Sequence, residues 1–239
     1  MTQPIIFNSS HVSIYTSTNT FQSFPKYIAF ELFLQQNDKE LHTKLVKPKP
    51  TYKKTYQCKD NVRKQTGKKC ENDIVKFYND NIKPIKDTKV RKSKVYNITD
   101  DGNTNIDIEI KAEVDAVNID NEHIEIKKRI NSLSQSIRYY EKEQLLLYMD
   151  IFDLPSITLF EYIDDENYKT HTLERGPVDE IISKLCNFVE QYNTFKNDST
   201  LISKYAKGDC KVREKIIKDI IESSKDDTDS FLTSLIESW

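Results

Sequence analysis

Glu113, Asp115, Glu125 and Lys127 fall inside one eighteen-residue stretch, "AEVDAVNIDNEHIEIKKR". In a β-strand, residues two apart share a face. Glu113 and Asp115 therefore project together, as do Glu125 and Lys127, while Val114, Ala116, Ile124 and Ile126 turn to the opposite, core-facing side. If the two strands pair as a hairpin, all four charged side chains converge. Carboxylates brought that close raise one another's pKa unless a cation sits among them. Their hard oxygens suit Mg²⁺ or Mn²⁺, ions that partner phosphate oxygens. Such an ion lowers the pKa of an attacking water and stabilises charge growing on a phosphodiester, and a neighbouring lysine can orient that water. Alternating acids and bases on an exposed sheet face also make plain cross-strand ion pairs. The pattern by itself leaves both readings open.

The elements that would position these residues follow from periodicity. The segment "KVYNITDDGNTNIDIEIKAEVDAVNIDNEHIEIKKRI" alternates apolar and polar residues and reads as three successive antiparallel strands, with turns at "DDGN" and "NIDNEH". Before it, "GKKCENDIVKFYNDN" carries Ile74, Val75, Phe77 and Tyr78 on a helical stripe. After it, "SLSQSIRYYEKEQLLLYMDIFD" predicts a long helix that Ser132 could cap and Pro155 stops, followed by a buried strand, "SITLFEYI". The amino-terminal 24 residues read as a short helix or turn leading into the helix "PKYIAFELFLQQ". "PVDEIISKLCNFVEQYNTF", "KVREKIIKDIIESS" and "TDSFLTSLIESW" read as C-terminal helices. The fold class predicted is α/β or α+β, a central mixed β-sheet flanked by helices. One domain over residues 1–239 is expected, with its core at about 9–165 and a helical region at about 177–239.

Composition narrows the partners. The formal charge is −2, yet 17 of the 36 Lys and Arg fall between Lys44 and Lys94 against 5 of the 38 Asp and Glu. A basic segment in a near-neutral chain points to a polyanion, nucleic acid first, or to a solvated lysine-rich face. Cys58, Cys70, Cys186 and Cys210 form no CxxC pair, so zinc and iron–sulfur sites lack spacing support and the thiols read as reduced, in an intracellular protein. No run of about 18 apolar residues and no signal-peptide pattern is present, so neither a membrane-spanning nor a secreted chain is expected.

Four motifs in order then carry a family resemblance. Asp115, Glu125 and Lys127, as "D(x9)EIK", resemble the PD-(D/E)XK nuclease signature, with Val114 where the name-giving proline usually falls. "EQLLLYMDIF" resembles the Gln-x-x-x-Tyr helix of RecB-type and phage lambda-type exonucleases, and "GKKCENDIVKFY" looks like the family's helix whose glutamate reaches the metal. "SSHVSIYTSTNTFQSFPKYIAFELF" resembles the family's opening serine motif and following helix. Together they cover roughly Ser9 to Asp165 and are similar to YqaJ-like viral recombinases or lambda-type alkaline exonucleases.

The resemblance implies a restriction-endonuclease-like core in which Asp115, Glu125 and Glu71 ligate Mg²⁺ or Mn²⁺, with the Ile126 carbonyl as a further ligand. Lys127 would orient the attacking water, and Gln144 would support the site, with Tyr148 on the same helical stripe. Ser10 would contact a DNA phosphate, and Lys53, Lys54, Arg63, Lys68 and Lys69 would line the backbone path; Tyr52, Tyr56 and Phe21 could stack on a separated base. Implied with these are a 5′-to-3′ exonuclease resecting duplex DNA ends in viral recombination or replication, a homotrimer, a single-strand annealing partner, and a host cytoplasmic or nuclear location. Two departures stand out: only "MTQPIIFN" precedes Ser9, where the family carries a phosphate-gripping arginine, and Glu113 stands where lambda-type members have serine. Glu113 reads as an extra acid or as an ion-pair partner of Lys111 or Lys127. The Glu113/Asp115 pair also fits an RNA-end nuclease of the decapping type. The same residues are compatible with a structure-specific endonuclease or with a non-catalytic nucleic-acid-binding protein that keeps the nuclease fold.

Overall fold

The computed structural model describes residues 4–16, 26–46, 71–99 and 105–236. In chain order the elements are β1 (Ile5–Asn8), a 3₁₀ turn (Ser9–His11), α1 (Val12–Tyr15), α2 (Lys26–Asn37), α3 (Lys39–Leu45), α4 (71–81), β2 (Ile85–Thr99), β3 (Asn105–Asn118) and β4 (His123–Lys128). Then come α5 (Tyr139–Phe152), β5 (Ser156–Asp164), β6 (Asn167–Glu174), α6 (Asp179–Asn197), α7 (Ser199–Lys207) and α8 (Cys210–Ile236). Among the described residues no helix is long and apolar enough to cross a membrane.

The chain divides into two compact units, Met1–Ser13 with Lys49–Glu180, and Ile14–Pro48 with Ile181–Trp239. In this division residues from Ile14 onward group with the C-terminal helices, whereas the expected core ran over about 9–165. The reason is aromatic: Phe30 and Phe33 of α2 pack their rings on Phe188 and Tyr192 of α6 at centroid distances of 4.8 to 5.8 Å. Arg213 of α8 pairs with Glu31 at 2.7 Å and donates to the Leu45 carbonyl, which ties α2, α3 and α8 together.

The first unit holds the six-stranded mixed sheet, in which β3 is the hub. β2 runs antiparallel along its whole length, from Ile85 opposite Asn118 to Thr99 opposite Asn105. β1 pairs in parallel with Ile108 to Lys111 and β4 pairs antiparallel with Ala116 and Val117. A strand has only two edges, so β1 and β4 share the one that β2 leaves free and meet it end to end. The expected turn at "NIDNEH" forms: the Asn118 side chain accepts from the Asp120 and Glu122 amides, and Asn121 takes the left-handed φ of 64° that asparagine tolerates well. β4 continues in parallel onto β5, with α5 as the obligatory crossover, and β5 folds back onto β6.

Both faces of the β3–β4 region are covered. On one, Ile74 and Tyr78 of α4 pack with Ala116, Ile124, Ile126 and Phe160. On the other lies α5, which buries Leu145, Leu147, Tyr148, Met149 and Ile151. α5 begins at Tyr139 with Arg138 as its cap residue, rather than at Ser132. The segment before it is held in an irregular path because Glu161 of β5 accepts from the Ser134 amide and Lys169 donates to the Ser134 and Gln135 carbonyls. β1, β6 and α7 add elements that local periodicity did not resolve, and α8 runs unbroken from Cys210 to Ile236, where two short helices were predicted at 211–224 and 228–239; residues 237–239 lie outside the described residues. The turn expected at "DDGN" lies outside the described residues.

The irregular segment also rests on a buried charge cluster. Arg129 donates to Glu161 at 2.6 Å and to Glu141 at 2.9 Å, and His171 lies 3.3 Å from the other Glu161 oxygen. Glu161 is fully buried, and although burial pushes its carboxyl up, the Ser134 amide and the Arg129 guanidinium outweigh it and hold the pKa below the usual range. Arg129→Ala would strand two buried carboxylates; a loss of about 3 kcal/mol or more is expected in urea unfolding, with Ile130→Ala at the exposed neighbouring position close to neutral.

Candidate active site

The site sits where β1 and β4 part along β3. Beyond Ala116 the strand ladder gives way to a side chain: Asp115 Oδ2 accepts the Ile126 amide at 2.7 Å. Glu125 and Lys127 project from β4 on the α5 face, and their alternation with Ile124 and Ile126 in the α4-side core fixes that orientation. Lys127 Nζ donates to Glu125 Oε1 at 2.5 Å and reaches Gln144 Oε1 at 3.5 Å. Gln144 Nε2 donates to Glu125 Oε1 at 3.0 Å and to the Tyr148 hydroxyl at 2.5 Å. Gln144 and Tyr148 stand one turn apart on α5 and so face the sheet together. Beneath them the Ser9 side chain hydrogen-bonds Tyr148, bringing the amino-terminal turn into the same cluster.

The electrostatics are those of an anion-rich crevice. Burial, then the charge of Glu125, then more weakly that of Glu71, push the Asp115 carboxyl up to about 8, against the partial relief given by Lys127 and the Ile126 amide. Burial works against the charge on Lys127, but Glu125, Asp115 and Glu141 outweigh it and raise its pKa, so it stays an ammonium. Tyr148 is driven well above its ordinary range by burial and by Glu125, and remains a neutral hydroxyl. Glu125 Oε2 is buried and has no hydrogen-bond partner. A carboxyl oxygen kept dry and unpaired is expensive. It is also the donor a hard cation would use.

These residues fit a divalent ion of the Mg²⁺ type. Asp115 and Glu125 present oxygens, and the Ile126 carbonyl leaves β4 on the same edge as the amide that Asp115 holds. Among the described residues no three His, Cys, Asp or Glu side chains gather closely enough to hold a metal by themselves. Two carboxylates suffice for Mg²⁺, which keeps several waters and takes substrate phosphate oxygens. Glu71, expected as a third ligand, acts on Asp115 through its charge, but its carboxylate lies 3.6 Å from Lys89 Nζ. Lys89 is a non-glycine residue at φ 54°, an uncommon strained conformation in a strand, next to Thr88 and Val90, which flank Asp115 across the ladder.

The structure thus gathers Asp115, Glu125, Lys127, Gln144 and Tyr148, and leaves Glu71 beside them. Ser10 lines the same cavity of about 670 Å³, as do Asn8 and Ser9. Glu113 lines it too, but its partner is Arg91, directly opposite on β2, rather than Lys111 or Lys127. Lys111 instead lies 3.8 Å from Glu109. Lys53, Lys54, Arg63, Lys68, Lys69, Tyr52, Tyr56, Phe21, Cys58 and Cys70 lie outside the described residues. Cys186 and Cys210 are free thiols. Sequence reasoning missed Arg91, Lys92, Ser93 and Lys111 on the cavity wall. The signal for Arg91, Lys92 and Ser93 was the alternation of "TKVRKSKVYN", which predicts a strand but not which neighbour it pairs with.

No protein-family model and no curated protein matches the chain. Among solved structures it is similar to SSO0001, at 14% identity and TM-score 0.48, over 81% of this chain and 79% of that one. It is also similar to an alkaline exonuclease, LHK-Exo, from Laribacter hongkongensis, at 12% identity and TM-score 0.46, over 80% and 91%. The same enzyme in complex with dAMP gives 14% identity and TM-score 0.45, over 78% and 87%. Likenesses at this level carry no part of the functional argument, which stands on the site.

The raised pKa of Asp115 has a sign that can be measured. The folded state holds this proton up to about pH 8, whereas an unfolded aspartate releases it near pH 4. Stability contributed here is therefore lost progressively as pH rises from about 4 to about 8 and is level above that. In metal-free buffer Asp115→Asn is expected to gain thermal stability over the wild-type chain across this range, with the two converging near pH 4; thermal unfolding by circular dichroism at a series of pH values checks it.

Proposed function

We propose that this protein is a metal-dependent phosphodiesterase acting on nucleic acid, and that the cavity bounded by Asp115, Glu125 and Lys127 is its active site. The observation that carries the reading is that these three side chains line one cavity and one Glu125 oxygen there is buried without a hydrogen-bond partner. A divalent cation held there supplies Lewis acidity and neutralises charge on a phosphodiester. The chain supplies the rest. Asp115 and Glu125 hold the cation and are themselves held, one by the Ile126 amide and the other by Gln144. Lys127, fixed between Glu125 and Gln144, keeps an ammonium proton available to orient an attacking water or to donate to a phosphate oxygen as charge develops on it. The depth of the crevice keeps these interactions in a low-dielectric setting where they are strong.

The finer reading is a Mg²⁺- or Mn²⁺-dependent deoxyribonuclease that degrades duplex DNA from its ends, with 5′-to-3′ polarity, in recombination. What supports it is the order of the four motifs. An RNA-end nuclease would use Glu113 as a second acid beside Asp115; here Glu113 is hydrogen-bonded to Arg91.

Incubation with linear duplex DNA and Mg²⁺ tests the assignment. The wild-type chain is expected to degrade the DNA and to leave covalently closed circles and capped RNA intact. Lys127→Ala is expected to lower the rate by about 100-fold or more. Equal degradation by both proteins would remove Lys127 from the mechanism and the site with it.

A further inference from the structure

Glu113 and Arg91 form an ion pair on the cavity wall that the proposed chemistry leaves unused. They stand opposite each other on β3 and β2, hydrogen-bonded side chain to side chain, and both are open to solvent, Arg91 at 76% and Glu113 at 40%. An exposed pair of this kind contributes little to stability. The rest of that wall is cationic or hydroxylic: Lys92, Ser93 and Lys111, with Ser9 and Ser10 also lining the cavity. A guanidinium on such a wall matches a phosphate oxygen pair as well as it matches a carboxylate. Arg91 thus has two anionic partners open to it, one built into the chain and one that a nucleic acid would bring.

We infer that Arg91 is a contact for the phosphodiester backbone of a nucleic acid entering this cavity, and that Glu113 is an intramolecular competitor that holds Arg91 until a phosphate displaces it. The inference rests on the proposed nuclease site and specifies how that site takes its polymer. The exchange swaps one monoanion for another on the same guanidinium, so the net gain per contact is small. The wall then favours a ligand that also engages Lys92 and Lys111, which a polyphosphate chain does and a lone anion does not. A carboxylate so placed weakens binding, and this separates a competitor from a carboxylate that holds a cation or positions a catalytic group, since loss of either of those impairs function.

Equilibrium binding of a fluorescent duplex DNA to the full-length protein, by anisotropy in EDTA so that no cleavage intervenes, reads these roles directly. Glu113→Gln is expected to tighten binding about two- to fivefold at low salt, the range set by freeing one exposed ion pair. Arg91→Ala is expected to weaken binding and to reduce the slope of log affinity against log salt by about one. In the Arg91→Ala background, Glu113→Gln is expected to lose its effect, because the competitor then has nothing to hold. Weaker binding by Glu113→Gln, or an equal gain with and without Arg91, would overturn the inference. Because the assay needs neither metal nor turnover, either result would leave the hydrolytic assignment to stand or fall on Lys127 alone.

Discussion

One hydrogen bond organises the site: the Ile126 amide to Asp115 Oδ2, at 2.7 Å. β3 offers a single edge to two strands, and β1 and β4 occupy its two ends. Past the last β4 pair an unpaired backbone amide would be left inside the protein, where it is costly. The Asp115 side chain satisfies it. The carboxylate that substitutes for the ladder is thereby pinned at the mouth of the fork, and β4 is free to diverge and open the cavity. The strands' departure from regular pairing and the placement of an acid are the same event.

Everything around that bond either crowds it with charge or keeps the crowd in place. Burial and the repulsion of Glu125 raise the Asp115 pKa to about 8, and Lys127 offsets this only in part. Such a cluster persists because its carriers are locked from both sides. Ile124 and Ile126 are buried against Ile74, Tyr78 and Phe160, and α5 brings Gln144 and Tyr148 down onto the charged face. α5 is itself anchored, by Asp150 to Lys94 and Tyr96 of β2, and by the left-handed Asp153 that ends it. Packing on one face of the sheet sustains electrostatic strain on the other. A divalent cation bound between these carboxylates would relieve that repulsion.

The sequence was legible where the chemistry is local and periodic. Alternation in "EVDAV" and "HIEIKK" placed Asp115, Glu125 and Lys127 on one face, and the i,i+4 spacing of Gln144 and Tyr148 placed them on one helix stripe. "NIDNEH" carried its own turn chemistry, with Asn118 and Asn121 in the roles their side chains favour. What escaped was set by distant partners. Glu113 could not be matched to Arg91, because a period of two says which side a residue faces and not which strand lies alongside. Ser132 looks like a cap, yet the helix starts at Tyr139 because Glu161 and Lys169, far along the chain, capture the intervening backbone. β6 alternates half-buried and exposed residues with few strong apolar ones, as befits an edge strand, and so lacked the signal of its neighbour β5. The grouping of α2 with the C-terminal helices was hidden for the same kind of reason: the ring partners of Phe30 and Phe33 lie in α6.

Asp115 and Glu125 together are the proposed site for a divalent cation. Calorimetric titration of Mn²⁺ near pH 7, repeated in two buffers of different ionisation enthalpy, measures both binding and the protons released with it. A carboxyl whose pKa burial and Glu125 push up to about 8 gives up its proton when a cation takes its oxygen. Saturable binding of Mn²⁺ with proton release, both abolished in Asp115→Asn, is the required result. Binding that is absent in the wild-type chain, or that persists unchanged without the Asp115 carboxylate, would contradict it.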